Sequence, residues 1–134
     1  MNTYSSEPPQ EFLSLCERIA GLEVSYSSEL EGGYEKLLEF IERDSGNRRI
    51  LVDAMLASIG EYKNARFGGK PLLSIDAMAF CMHRLRWNEV LEAARRENTQ
   101  YFAPKADSTL VRLIDAFEDG WPEADDYRLF RATS

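Results

Sequence analysis

The sequence predicts an all-α protein built from successive helical hairpins. Three observations lead to this prediction: apolar residues recur every three or four positions, short groups rich in Gly, Pro, Ser or Asn interrupt that pattern, and strand-like alternation of useful length does not occur. Such an order of helices is typical of a short α-solenoid of the HEAT or armadillo kind, or of a compact helical bundle. With 134 residues, of which 44% are hydrophobic, the chain 1–134 fits a single domain with a sizeable core.

Three amphipathic segments lie in the first half of the chain. The first runs from about residue 9 to residue 22, where Pro9 suits the initial turn of a helix. Ser28 begins a capping box for the second, whose apolar stripe covers 30–41. A short turn containing glycine leads to a third segment, with apolar residues over 51–62. Because this connection is tight, we expect the second and third helices to form an αα-hairpin.

The second half of the chain predicts three more helices. A loop at 67–71 precedes a helix for which Ser74 is the expected N-cap. That helix is apolar on two faces, so we expect it to be central and buried. We expect it to form a second hairpin with the segment 88–98, for which Asn88 is the expected N-cap. After a loop at 98–106, a last helix follows a cap at 107–108. We expect the apolar residues beyond it to fold back over it. These residues are Trp121, Tyr127, Leu129 and Phe130.

The net charge of −7 is unevenly distributed. Nine acids and two bases give residues 1–42 a charge of −7, eleven bases and seven acids give 43–106 a charge of +4, and seven acids and three bases give 107–134 a charge of −4. Direct nucleic-acid binding usually needs a dominant basic face, so we do not expect it. A basic protein partner is favoured, because opposite potentials steer association. The alternative is that the acidic charge only keeps the protein soluble.

The sequence contains no recognisable catalytic motif, and we expect neither a cofactor nor a metal site. His83 is the only histidine, and it lies two positions from Cys81. Two residues at that spacing point apart on a helix and do not converge on a metal, so we expect His83 to pack between Phe80 and Trp87. Cys16 and Cys81 have apolar neighbours and are expected to be buried free thiols.

A basic cluster surrounds Trp87. RNA-binding surfaces combine arginine with aromatic side chains, but glutamates in the same stretch can pair with the arginines. We therefore expect structural ion pairs here rather than an RNA site. The cluster comprises Arg84, Arg86, Arg95 and Arg96, with Glu89, Glu92 and Glu97 among them.

Acidic residues are densest near the C-terminus, where 115–126 holds six acids within twelve residues. Aromatic side chains beside acids can anchor a basic partner. The alternative is a solvated acidic face without a partner. The second helix adds five glutamates between residues 29 and 42. The candidate partner-binding residues are Asp115, Glu118, Asp119, Trp121, Glu123, Asp125, Asp126 and Tyr127.

One stretch resembles a known family. The string DAMAFCMHRLRWNEVLEAARR, from Asp76 to Arg96, resembles a segment of small helical immunity proteins from bacterial polymorphic-toxin and contact-dependent growth-inhibition systems. In those proteins, a helix ending in Leu-Arg-Trp is followed at once by a second helix starting near Glu-Val. The resemblance implies a HEAT-like fold and binding to a nuclease toxin, such as an EndoU-like ribonuclease. It also implies that the Leu85–Trp87 motif is structural rather than part of the binding site.

These observations lead to one functional expectation and two alternatives. We expect a non-enzymatic immunity protein that binds and neutralises a cognate toxin, a basic nuclease, by occluding its active site or substrate surface. One alternative is a small helical adaptor or chaperone that binds a partner peptide in an interhelical groove. Another is an enzyme whose unrecognised site involves His83 or Cys81. The start of the chain lacks the basic and apolar regions of a secretory signal, and no apolar run could span a bilayer. We therefore expect a cytoplasmic protein without a membrane partner.

Overall fold

A computed structural model describes residues 8–64, 71–99 and 109–131. These residues form seven α-helices and no strand, which confirms the predicted all-α class. Two short 3₁₀ segments, Ser45–Asn47 and Pro122–Asp126, occur between helices. The helices are α1 (Gln10–Val24), α2 (Leu30–Arg43), α3 (Arg48–Asn64), α4 (Ile75–Leu85), α5 (Asn88–Thr99), α6 (Thr109–Asp115) and α7 (Arg128–Arg131).

The helix pairs in closest contact link the helices into one series of neighbours. The closest pairs are α1–α2, α2–α4, α3–α5, α4–α6 and α5–α6. Followed through these contacts, the helices neighbour one another in the order α1, α2, α4, α6, α5 and α3. Close neighbours two positions apart in chain order are typical of stacked helical repeats, so the packing is compatible with a short solenoid or a compact bundle.

The closest consecutive helices differ from the two predicted hairpins. They are α1–α2 and α5–α6 rather than α2–α3 and α4–α5. A tight link, such as the 3₁₀ turn before α3, brings two helix ends together but leaves the helix axes free to diverge. The apolar faces then decide which helices lie in close contact.

Helix α4 is central and buried, as its two apolar stripes predicted. Seven of its eleven residues are buried, namely Ile75 and the run from Ala77 to Met82. The predicted N-cap is confirmed, because Ser74 Oγ accepts a hydrogen bond from the Ala77 N–H at 3.0 Å. This bond satisfies one of the donors that the first turn of a helix leaves without an intrahelical partner.

Two other predicted helix starts are wrong in detail. The capping box at Ser28 does not form: α2 begins at Leu30 without a side-chain cap. The Glu29 N–H instead donates to Ser27 Oγ at 3.0 Å. Asn88, an expected N-cap, is the first residue of α5, and its side chain donates to Glu92 Oε2 at 3.2 Å. Both differences are of one or two residues, a scale at which local sequence signals do not settle helix ends.

The C-terminal segment packs on the core and reaches beyond α6, the helix over which it was expected to fold. The rings of Tyr127 and Phe130 each lie 5.0 Å from the ring of Phe80 in α4, and Tyr127 lies 6.1 Å from Tyr34 in α2. The segment thus crosses α4 and reaches α2, because the second apolar stripe of α4 offers the aromatic surface, while Glu123 of the same segment lies 3.7 Å from Arg112 of α6.

Some predictions lie outside the described residues. They are most of the loops at 67–71 and 98–106, the cap at 107–108 and the side chain of Tyr62. Within the three described ranges, we find no helix that has both the length and the apolar character needed to cross a membrane.

Candidate partner-binding surface

The acidic segment 115–126 is held in place by the last turn of α4. The ring nitrogen Nδ1 of His83 lies 2.8 Å from the carbonyl oxygen of Ala116, and Arg86 Nη1 donates to the carbonyl oxygen of Phe117 at 2.8 Å. Both carbonyls follow the end of α6 at Asp115, where helical partners run out. A cationic guanidinium also suits the negative end of a helix. Contacts from the end of α4 therefore fix the position of the backbone at the start of the acidic segment.

The Leu85–Trp87 motif makes contacts at the end of α4, and that it lies outside the binding site stays a prediction. Arg86 adopts the left-handed conformation (φ 54°, ψ 41°), and its N–H donates to the Met82 carbonyl at 2.9 Å, which ends α4. Trp87 is 9% exposed, and the guanidinium of Arg48 lies 4.9 Å from the centre of its ring. The motif thus makes the corner between α4 and α5.

The predicted neighbours of His83 are wrong. Its ring packs against Trp121, at 4.9 Å between ring centres, and against Phe130, at 4.6 Å. Phe80 and Trp87 were expected on either side of it. Arg86 breaks the helical phase, so Trp87 cannot continue the stripe that contains Phe80 and His83.

The two aromatic members of the predicted site pack on the protein rather than stand free in solvent. Trp121 is 4% exposed, and its ring stacks on Tyr127 with 6.0 Å between centres. Tyr127 is half-buried, and burial raises its pKa to about 12. In this arrangement both rings hold the C-terminal segment in place, and Trp121 does not offer its face to a partner. Whether the segment binds a partner remains a prediction.

The six predicted acids divide into two groups. Asp119 pairs with Arg86 at 3.2 Å, and Glu123 lies 3.7 Å from the Nε of Arg112, which also pairs with Asp76. The remaining four are exposed and have no ion pair with any residue that the structure describes. This free acidic group consists of Asp115, Glu118, Asp125 and Asp126.

Most acidic side chains of α2 form ion pairs with residues of other elements. The guanidinium of Arg128 donates to both carboxylate oxygens of Glu35, at 2.9 and 2.8 Å, and these hydrogen bonds lower the pKa of Glu35. Glu42 pairs with Arg84 at 3.2 Å. The expected structural ion pairs therefore do form at Arg84 and Arg86, but with acids of other elements. Two more glutamates of this stretch take part in similar pairs, namely Glu29 with Arg18 and Glu31 with Arg128.

The structure also exposes two large apolar side chains that sequence reasoning missed. Val24 is 80% exposed and Tyr26 is 93% exposed, both at the corner between α1 and α2. The sequence did carry a signal for their exposure: both residues come after the last apolar residue of the α1 stripe, so neither has a position on the buried face of that helix. A depression of about 340 Å³ lies at the start of α2. Its lining includes Ser28 and Glu29 together with three cationic residues, Arg18, Lys36 and Arg128.

A second candidate surface is a groove along α3. It has a volume of about 410 Å³ and an apolar lining that includes Ile50, Ala54 and Leu72, with Glu61 among its polar members. Leu72 is 37% exposed. It also lines a neighbouring depression of about 380 Å³ beside α1, so it stands between two concave surfaces.

Cys16 lines the depression beside α1, but both thiols are buried. Cys16 and Cys81 are buried and free, as predicted. Burial raises the pKa of Cys16 to about 12 and raises the pKa of Cys81 as well. Within the part of the chain that the structure describes, no group of three or more His, Cys, Asp or Glu side chains is placed to hold a metal ion.

Three surface features thus remain as binding candidates: the free acidic group, the apolar corner at Tyr26 and the groove along α3. When the chain is compared with known proteins, no family model, no curated protein and no solved structure matches it.

Proposed function

We propose that this chain is an immunity protein that binds a cognate toxin domain, a basic nuclease, and neutralises it by covering its active site or substrate surface. The observation that carries the proposal is the free acidic group: Asp115, Glu118, Asp125 and Asp126 are exposed without an ion pair to the described residues. A nuclease must hold the phosphates of its substrate, so its active-site cleft is commonly lined with cationic side chains. Carboxylates are the side chains that such a cleft attracts.

The way in which the segment is held favours tight binding. His83 and Arg86 bind the backbone carbonyls just after α6, and the buried ring of Trp121 fixes the middle of the segment. A segment already ordered in the free protein loses less conformational entropy when it binds. The same residues belong to, or pack against, the stretch 76–96 that resembles immunity proteins, so the resemblance supports the proposal.

Inhibition of a nuclease tests this function. The toxin candidate is the C-terminal domain encoded by the adjacent upstream reading frame, and its cleavage of RNA and DNA is measured while this protein is added. We expect cleavage to fall to background at one equivalent. Cleavage that is unaffected by a large excess of the protein would contradict the proposal.

Matched charge variants locate the inhibitory surface. Glu118→Lys, Asp125→Lys and Asp126→Lys are combined in one variant, called the acid variant. It leaves Asp119 intact, because that residue pairs with Arg86. We expect the acid variant to inhibit only at much higher concentration, since its charge now repels a basic cleft. The control variant makes the same change in net charge on three other helices. Its substitutions are Glu17→Lys, Glu39→Lys and Glu92→Lys.

Equal inhibition by the wild type, the acid variant and the control variant would exclude the free acidic group from the interface. Equal loss of inhibition in both variants would show that only net charge matters.

The groove along α3 supports a second candidate function, that of a small adaptor that binds a partner peptide. Its apolar lining around Leu72 suits an extended apolar segment, and such binding would be insensitive to salt. An array of extended apolar peptides tests it by fluorescence polarisation at low and high salt. Salt-independent binding that Leu72→Asp abolishes would favour the adaptor function. Failure of the whole array to bind would reject it.

A further inference from the structure

The series of neighbouring helices ends at α1 and α3. Among the closest pairs of described α-helices, α2, α4, α5 and α6 each have two partners, whereas α1 pairs only with α2 and α3 pairs only with α5. Each end helix therefore has a side that no other described helix covers in close contact. In stacked helical arrays, such a side is where a further helix adds to the series.

The uncovered side of α3 forms the floor of the groove along that helix. Ile50, Ala54, Ala57 and Glu61 line it, and their spacing of three or four residues places them on one stripe of the helix. The stripe rises by about 16 Å from its first to its last residue. Because two alanines stand in the middle of the stripe, the floor of the groove stays low enough for another helix to approach.

The uncovered side of α1 lines the neighbouring depression of about 380 Å³. Leu13, Glu17 and Ala20 of α1 belong to this lining, again at spacings of three or four residues. Leu72, which is 37% exposed, lines both this depression and the groove along α3. Pro8, just before α1, lines the groove as well. The two uncovered helix sides thus meet at Leu72, and we call the two concave surfaces together the α1–α3 gap.

The lining of the α1–α3 gap is apolar and acidic. Its charged members are Glu17, Asp53 and Glu61, and no cationic side chain among the described residues lines it. Glu17 and Glu61 are exposed and have no ion pair with a described residue, while Asp53 lies 3.9 Å from Arg49 of the preceding turn. An apolar surface flanked by cations is complementary to this lining. A second copy of the chain is not, because its net charge of −7 opposes the carboxylates.

We propose that the α1–α3 gap is a docking site for an amphipathic helix of a basic partner protein. The apolar side of that helix lies on Leu72 and on the alanines of α3, and its lysine or arginine side chains reach the carboxylates of Glu17 and Glu61. The bound helix is one further neighbour in the series, placed between its two ends. Recognition of an amphipathic helix by an apolar groove is a common mode of binding.

Neither function proposed above uses the gap in this way. The free acidic group lines neither concave surface, and the adaptor function concerns an extended apolar segment whose binding does not depend on salt. A basic helix differs from that segment in both respects, because it binds as a helix and its affinity falls as salt screens the carboxylates.

Three displayed libraries of peptides about 18 residues long, enough to cover the stripe on α3 as a helix, test the proposal. The first has apolar residues at helical spacing with Lys and Arg beside them. The second replaces these cations with Glu, and the third keeps the composition of the first but alternates apolar and basic residues. We expect binders from the first library alone, with micromolar affinity by fluorescence polarisation that weakens as salt rises, and with a gain in helical circular dichroism on binding.

Matched variants locate the binding site of the selected peptides. Ala57→Trp fills the groove from an exposed position, and we expect the affinity to fall by about tenfold or more. The control Val111→Trp changes a residue of α6 that is 37% exposed and lines neither concave surface, and it should bind like the wild type. Glu17→Gln combined with Glu61→Gln should weaken binding and flatten its salt dependence. This pair decides the question if the thermal midpoint shows that Ala57→Trp does not fold.

Several results would overturn the proposal. Basic helical peptides that bind Ala57→Trp and the paired Gln variant as tightly as the wild type would lie elsewhere on the protein. Binders from the alternating library alone would favour the adaptor function instead, and binders from the acidic library would contradict the charge complementarity. Absence of any binder would leave the gap without this role. A dimer of the wild type that Ala57→Trp dissociates, measured by sedimentation, would assign the gap to a second copy of the chain.

Discussion

At the scale of single residues, burial decides the chemistry of the two thiols. Cys16 is 1% exposed and Cys81 is 0% exposed, and burial raises the pKa of both. The thiolate is the reactive form of cysteine. We therefore expect neither thiol to react with a chromogenic disulfide reagent in the folded protein, and both to react once urea unfolds it. Rapid labelling of either cysteine without denaturant would contradict this picture of the core.

The ion pair between Arg48 and Glu89 predicts a specific pH dependence. Its two hydrogen bonds measure 2.9 and 2.7 Å, and they lower the pKa of Glu89 from 4.5 to about 2. Because the folded-state pKa is the lower one, the stability that the pair contributes is complete above about pH 4.5 and is lost as the pH falls towards 2.

An NMR titration of the Glu89 carboxyl carbon checks this prediction. The expected midpoint is near pH 2 in the wild type, and Arg48→Gln should move it back towards 4.5. A midpoint near 4.5 in the wild type would show that the ion pair does not persist in solution.

Aromatic residues show what the sequence cannot reveal at this scale. Trp121 and Tyr26 both lie close to acidic residues, yet Trp121 is 4% exposed and Tyr26 is 93% exposed. Trp121 is buried because His83 and Tyr127 reach it from distant parts of the chain. Tyr26 follows the end of α1, and no aromatic ring among the described residues packs against it. Long-range contacts, which local sequence patterns do not contain, therefore decide whether an aromatic ring is buried or exposed.

At the scale of helices, the end of α4 stabilises the end of α6. Arg86 donates hydrogen bonds to the carbonyls of His83 and Phe117, at 2.9 and 2.8 Å, and pairs with Asp119. Arg86→Ala removes these bonds, and we expect the free energy of unfolding to fall by about 1–2 kcal/mol. Arg86→Gly should lose less, because glycine favours the left-handed backbone at this position. Urea denaturation of the wild type and both variants measures the difference. Wild-type stability of Arg86→Ala would show that these contacts are negligible.

The features of the helices differ in how well the sequence predicts them. The N-cap at Ser74 was predictable, because it depends on a bond between residues three positions apart. The central position of α4 was predictable as well, since a helix apolar on two faces needs cover on both. The pairing of helices was not, because α3 selects α5 through an apolar face whose complement lies elsewhere in the chain.

For the molecule as a whole, segment charges predicted an acidic protein but not which acids are free. Glu35 is tied to Arg128, which lies 93 positions away, and Asp119 is tied to Arg86. The fold class was predictable from the spacing of apolar residues, because this helical pattern is local and recurs along the chain. The sequence predicted the candidate acidic surface only in part. Arginines from distant elements pair with most glutamates of α2, whereas Asp125 and Asp126 stay exposed without such a pair.

In the proposed function, an exposed acidic surface binds a basic toxin domain. Calorimetric titration of the wild type and the acid variant against the C-terminal domain of the adjacent upstream reading frame, at low and high salt, tests it most directly. We expect nanomolar binding by the wild type that weakens as salt rises, and weaker binding with a flatter salt dependence for the acid variant. Tight binding that neither salt nor the acid variant changes would move the interface to apolar surface. Absence of binding by the wild type at low salt would contradict the claim outright.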